Sequence, residues 1–275
     1  MEEQGKEILY HYTSLDGFDK ILSSGALALT DIIKSNDPSE GYYALQMLEK
    51  SYKNLYRDDK IGRNDYIKYH TAFFEFSRME KSFGRLQQVI LSISFCQPVL
   101  PLVLWRTYGD NGSGVAIAVS KTTLDEIAEQ KNFEFKRIEY LSEKELLERY
   151  SIFWKNQKDA DESAIVDALK EKYLEGYFIK HPENSFEKEY RLVYTGLNLG
   201  DYTILSQEIP EKICSFKRNN DIVLYYKLPI SGENKIIDYV QTGPLCKISD
   251  NEMRFLLNKY NIQYYRVTHD NIAMR

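Results

Sequence analysis

Past residue 176 the chain changes character, and that change limits its fold more than any other feature. Strand-like runs at 190–195, 213–217, 223–228 and 236–240 follow one another with little helix between them. A short helix over 250–258 and a last strand over 263–268 complete the series. Earlier strand candidates, at 9–12, 27–29, 89–95, 114–119 and 133–140, are separated by long helical stretches. Runs of strands and runs of helices, rather than regular alternation, predict an α+β fold. No repeat and no Pro/Gly/Ser-rich linker divides the sequence. One domain over 1–275 is expected, with helical insertions at about 38–85 and 142–176.

Within that frame some boundaries have local causes. Thr13-x-x-Asp16 reads as a capping box, and Leu15, Phe18, Ile21 and Leu22 then recur at helical spacing until Gly25 stops the helix. Asn36-Asp37-Pro38 reads as a turn and helix start. Phe73, Phe74, Phe76 and Phe83 form an aromatic stripe expected in the core. The stretch 102–108 reads as one helical turn before the turn signal Gly109-Asp110-Asn111-Gly112.

A net charge of −5 argues against a protein that permanently coats nucleic acid, which needs clustered Lys and Arg, but leaves room for a local basic groove. Cys96, Cys214 and Cys246 are odd in number and lack C-x-x-C spacing, so neither a disulfide framework nor a zinc site is expected. A reducing cytoplasm fits, and the polar start carries no signal-peptide core. The longest apolar run, 89–105, contains Gln97, Pro98 and Pro101, which excludes a clean membrane helix.

Two distant segments carry the chemistry. His11 sits where a strand gives way to a capped helix, a place from which an imidazole can bond a ligand hydroxyl. In Phe186-Glu187-Lys188-Glu189-Tyr190-Arg191, the E-x-E spacing puts both carboxylates on one strand face. Such a pair is ordinarily a solvated edge. Leu192 and Tyr194 argue instead for a strand inside a sheet, where a carboxylate needs a partner or a task. Arg191 is the candidate partner. Trp105-Arg106-Thr107-Tyr108-Gly109 then offers rings that can stack on a nicotinamide or adenine plane and a guanidinium that can meet a pyrophosphate. The alternative there is a tight loop over a core Trp. Gly112-Ser113-Gly114 can bring backbone close to a ligand but matches neither G-x-G-x-x-G nor a Walker sequence. No H-E-x-x-H, G-x-S-x-G or Cys/His ligand set is present, so no metal is expected.

At these residues the chain resembles the ADP-ribosyltransferase superfamily of the His-Tyr-Glu type. Tyr10-His11-Tyr12-Thr13-Ser14, with Phe18, Ile21-Leu22 and Gly25-Ala26-Leu27, looks like the opening of DNA-modifying ADP-ribosyltransferase toxins. The ordered set His11-Tyr12-Thr13, Asn36-Asp37-Pro38-Ser39-Glu40, Trp105 to Gly109, Gly112 to Val115 and Glu187 to Arg191 is similar to an uncharacterised bacterial family placed in that superfamily. The resemblance implies a split antiparallel sheet and NAD as co-substrate. It implies that His11 binds a ribose hydroxyl, that Glu189 is the catalytic carboxylate, and that Tyr108 stacks on nicotinamide, with Tyr12 and Trp105 competing for that place. Thr13, Asn36, Arg106 and Arg191 complete the expected NAD contacts. Glu189→Gln is expected to abolish turnover and leave the fold intact. The implied function is an NAD-dependent ADP-ribosyltransferase, a toxin or anti-phage effector acting on a protein or nucleic acid. An antitoxin or defence-system partner is implied with it. An NAD hydrolase with the same pocket and a silent nucleotide-binding sensor are the alternatives. The 38–85 insertion, with Arg57, Lys60, Arg63 and Lys68, is the candidate acceptor surface or else a solvated helical face.

Overall fold

A computed structural model describes residues 7–34, 42–82, 88–97, 101–198, 210–230, 236–260 and 262–266. Its centre is a ten-stranded, mostly antiparallel sheet that curls into a half-barrel, with helices packed on it. β1 (Ile8–Thr13) lies antiparallel to β4 (Val115–Ser120), with His11 opposite Ile117 and Thr13 opposite Val115. Beyond β4, which runs into α5 (Lys121–Ala128), come β11 (Ile237–Thr242) and, parallel to it, β12 (Gln263–Arg266). A second limb runs from β2 (Ala26–Asp31) to β10 (Asp221–Pro229) and β9 (Ile213–Arg218).

Both limbs meet on β3 (Gln88–Cys96). One edge of β3 pairs with β2 at Ser92 and Leu91 and with β1 at Cys96. Its other edge pairs along its whole length with β8 (Glu189–Asn198), which β5 (Phe133–Arg137) then continues. Alternation along β3 sends Leu91, Ile93 and Phe95 into the main core and turns Ser92, Ser94 and Cys96 to the other face. On β8, Tyr190 and Leu192 join that core while Glu189, Arg191 and Val193 face the opposite way.

The helices are built as their sequence signals indicate, with informative exceptions. α1 (Leu15–Ser24) buries Phe18, Ile21 and Leu22 and ends on Gly25 at φ 65°, a left-handed cap that glycine adopts without steric cost. Its N-cap is Ser14, whose hydroxyl accepts from the Gly17 N–H at 3.1 Å; Thr13 instead closes β1. α3 (Arg63–Ser82) buries Phe73 and Phe76 but exposes Phe74, because a step of one residue turns a side chain roughly 100° around the axis. Phe83 and the Asn36-Asp37-Pro38 turn lie outside the described residues. The two expected insertions are one layer in space. α2 (Tyr42–Arg57) and α3 pack against α6 (Glu143–Asn156) and α7 (Glu162–Gly176) around Tyr52, Tyr69, Trp154 and Leu169. Trp154 Nε1 donates to the Leu48 carbonyl at 2.9 Å, which lets an indole lie in the centre of that layer without an unpaired donor. Among the described residues no helix is long and apolar enough to cross a membrane.

Candidate active site

The unusual chemistry collects where β3, β8 and the end of the helical layer meet. Glu189 opens β8 with 1% of its surface exposed, and Arg191 is equally buried. Four donors converge on the Glu189 carboxylate. Oε1 accepts from Ser94 Oγ at 2.5 Å and lies 2.9 Å from Arg191 Nε and 2.8 Å from the second guanidinium nitrogen. Oε2 lies 2.7 Å from Lys180 Nζ. The Glu189 N–H donates to Tyr140 Oη at 2.9 Å, and Arg191 also donates to the Tyr177 carbonyl at 2.6 Å. Burial pushes the Glu189 carboxyl up, but Arg191 and then Lys180, helped by Ser94, outweigh it and hold the pKa down at about 2. The group is a carboxylate at neutral pH.

Lys180 reaches a second acid. It donates to Glu187 Oε2 at 2.9 Å, and Tyr108 Oη donates to Glu187 Oε1. Burial raises the Glu187 pKa, an effect that Lys180 and Tyr108 only partly offset. Glu187 and Glu189 do face one way, but not because both belong to a strand. Glu187 ends a 3-10 turn (Pro182–Glu187) and Lys188 follows at φ 42° before β8 begins. The shared ammonium, rather than the pleat, brings the two acids together.

His11 reaches the same strand from another direction. On β1 it faces as Leu9 does, away from Tyr10 and Tyr12, with its ring 6.0 Å from Phe95 and tilted 63° to it. Nδ1 lies 3.0 Å from the Ser94 carbonyl, between the heights at which β1 and β2 pair with β3. Burial lowers its pKa, and the bond to Ser94 opposes this. A neutral ring donating from Nδ1 presents Nε2 as its acceptor. Ser94 therefore touches both groups, His11 through its carbonyl and Glu189 through its hydroxyl.

The other expected contacts fall differently. Tyr108, 38% exposed, follows α4 (Pro101–Thr107) and is tied to the acid cluster through Glu187. Trp105 is 1% exposed, and its ring is a wall of the core: Tyr12 meets it edge-on at 5.0 Å, and Gly109 and Gly243 lie against it. Arg106 is exposed on the last turn of α4. Arg191 spends its guanidinium on Glu189 and Tyr177, not on an open surface. Asn36 lies outside the described residues. Around Gly114 backbone approaches backbone: a Cβ there would stand 2.2 Å from the Thr13 carbonyl oxygen, so this glycine serves the β1–β4 contact, and Thr13 beside it is half-buried.

Sequence reasoning missed Lys180, Ser94, Tyr140 and Tyr177. Lys180 sits in β7 (Ile179–Lys180), which pairs with β6 (Glu139–Tyr140). Its only signal was a lysine closing the apolar run 177–179. In the helical layer Lys68 Nζ donates to the carbonyls of Lys158 at 2.5 Å and Ala160 at 3.0 Å, capping the α6–α7 turn. Arg57 and Lys60 both pair with Asp58. Among the described residues no group of three His, Cys, Asp or Glu is placed to hold a metal ion.

Residues 104–192, about a third of the chain, match a family model described as Protein of unknown function (DUF2971). The matched span holds Tyr108, Lys180, Glu187, Glu189 and Arg191 and stops short of His11 and Ser94 on the N-terminal side. Its description carries no activity. No curated protein and no solved structure matches the chain.

Proposed function

We propose that this chain is an NAD-dependent ADP-ribosyltransferase of the His-Tyr-Glu type, acting where β1 and β2 part on β3. The single observation behind this reading is Ser94, which binds His11 on one side and Glu189 on the other. Parting of the two limbs is what a split sheet of that superfamily requires. His11 lies on the main-core face of the sheet with Phe95, and Glu189 on the opposite face with the Ser94 hydroxyl, so a ligand must pass around β3 where the limbs part.

The residues fit an NAD co-substrate in kind. A neutral imidazole with Nε2 as acceptor suits a ribose hydroxyl. The half-open Tyr108 ring offers a flat face to an aromatic base. Cleavage of the nicotinamide–ribose bond develops positive charge on the sugar, as glycoside cleavage does. The stabilising carboxylate is then Glu189, which four donors hold in its ionised form. Arg191 and Trp105, both enclosed, support the site from behind rather than contacting the dinucleotide. A bacterial toxin or anti-phage effector, with a protein or nucleic-acid acceptor and an antitoxin or defence partner, is the biological setting this chemistry suggests.

Incubation of the full chain with labelled NAD and separate protein, DNA and RNA pools tests the reading. Nicotinamide release with label on one pool is the expected result. Release without label would make water the acceptor and the protein a hydrolase. NAD binding without release would leave a sensor, and neither binding nor release would end the proposal.

A further inference from the structure

Two carboxylates buried side by side repel each other, and in a poorly solvated site one of them ordinarily holds a proton. Here Glu187 and Glu189 are both nearly fully buried, yet each accepts hydrogen bonds on both oxygens, the arrangement expected of ionised groups. The element that reconciles them is a lysine absent from the His-Tyr-Glu set. Lys180 Nζ stands 2.9 Å from Glu187 and 2.7 Å from Glu189, on a two-residue strand delivered by the end of the helical layer.

We propose that Lys180 is a positioning residue, whose ammonium clamps the Glu187 and Glu189 carboxylates into one charge-balanced site with Arg191. The four formal charges cancel: two acids against one ammonium and one guanidinium. Arg191 pairs with Oε1 of Glu189, while Lys180 spans Oε2 of both acids. Among the described residues, Tyr108 at Glu187, Tyr140 at the Glu189 backbone and Cys96 on β3 are the further titratable groups that face the cluster. Burial pushes all three toward their neutral forms, so none of them supplies a balancing charge. Loss of Lys180 would leave two negative charges against one positive, and Glu187, whose Oε2 would lose its ammonium donor while Glu189 keeps Arg191 and Ser94, would take up the proton.

The role proposed for Lys180 rests on the NAD-cleaving reading only for its effect on rate; its effect on charge does not. The decisive measurement is a pH titration of glutamate carboxyl 13C shifts in the labelled full chain, for wild type, Lys180→Met and Lys180→Met/Glu187→Gln. In Lys180→Met one glutamate should titrate about one to three pH units higher, the effect of removing an adjacent opposite charge. The second substitution should abolish that titration. Nicotinamide release, followed alongside, should fall about a hundredfold in Lys180→Met, with its acid limb moved upward by the same amount. A Lys180→Met titration that overlays wild type, or one that Glu187→Gln does not remove, overturns the proposal. Should Lys180→Met fail to fold, the balanced double variant should fold, and failure of both would make the lysine a packing group and overturn it equally. A wild type that releases no nicotinamide sinks the NAD reading alone, since the titration still decides what Lys180 does.

Discussion

Glu189→Gln tests both the proposed chemistry and the architecture, because the carboxylate on which the proposed function depends is also the hub of a buried ion cluster. The amide keeps the shape but has one acceptor where the carboxylate has two. If its oxygen retains Ser94 and Arg191, its NH2 group points at the Lys180 ammonium, a donor against a donor at a 2.7 Å contact. Two cations then face one remaining acid. Breaking a buried pair by removing one partner costs about 3–5 kcal/mol. At about 2–4 °C per kcal/mol for a chain of this size class, the thermal midpoint should fall by about 10 °C. The expectation that the fold is left intact is therefore revised: the variant folds, but less stably.

The pH dependence carries the sign. Glu189 has a folded pKa of about 2 against 4.5 in an unconstrained chain. Its contribution to stability is fully present above pH 4.5 and is lost as the pH falls through about 2, below which both states are protonated. Thermal unfolding followed by circular dichroism from pH 2.5 to 7, values chosen to span about that window, should show this rise in wild type and its loss in Glu189→Gln. Nicotinamide release should drop by about two to three powers of ten. A variant as stable as wild type at neutral pH would refute the ion-cluster account, and one with wild-type turnover would refute the catalytic assignment.

Tyr108→Phe removes the hydroxyl that donates to Glu187 and keeps the stacking ring, so stability should fall by about 1 kcal/mol with nicotinamide release little changed, whereas release should fall steeply in Tyr108→Ala. Equal turnover in that variant would remove Tyr108 from the site. The His11 imidazole should titrate below 6.5 in proton–carbon NMR spectra, since burial disfavours its charged form; a midpoint at or above 6.5 would contradict the neutral ring. Gly114→Ala places a methyl 2.2 Å from the Thr13 carbonyl and should cost about 3 kcal/mol in urea unfolding, because neither backbone can move without disturbing the β1–β4 pairing. An unchanged midpoint would show that the contact can relax.

The order of strands and helices was legible because each element carries its own period and its own stops. The Leu9–Tyr12 strand, the α1 stripe ending on Gly25, and the strands around 115, 190 and 237 stand where local pattern places them. What local pattern could not show is which elements share space. The segments 38–85 and 142–176 read as two insertions, and nothing in either names the other; Trp154 bonding Leu48 across 106 residues is a tertiary fact. The same limit hid Lys180. A lysine after an apolar run is an ordinary sight, and only the 3-10 turn that folds Glu187 and Glu189 back onto it gives it meaning. Thr13 lost the cap to Ser14 because its own residue was already committed to pairing with Val115, a competition between strand and cap that spacing alone does not resolve.

The joining of the helical layer to the acid cluster has a consequence for how the site can behave. Tyr140, Tyr177 and Lys180 all lie at the margins of that layer, and each supplies one bond that holds β8 at its first turn. Tyr43 on α2 also donates to the Leu141 carbonyl at 2.9 Å, next to Tyr140. A change in helix packing therefore acts on Glu189 directly through Tyr140 and Lys180 and indirectly through the Tyr177 bond to Arg191, none of which belongs to the sheet ladder. Loosening the layer should weaken the carboxylate's restraints before it disturbs the β3–β8 pairing. Trp154→Phe, which keeps an aromatic ring but removes the donor to Leu48, perturbs the layer far from any ligand. If the coupling is real, hydrogen exchange at the Glu189 amide should quicken in that variant while exchange at Leu192, deeper in the ladder, stays slow. Equal protection at both amides would mean that the sheet alone holds the acid, and that the helices merely cover it.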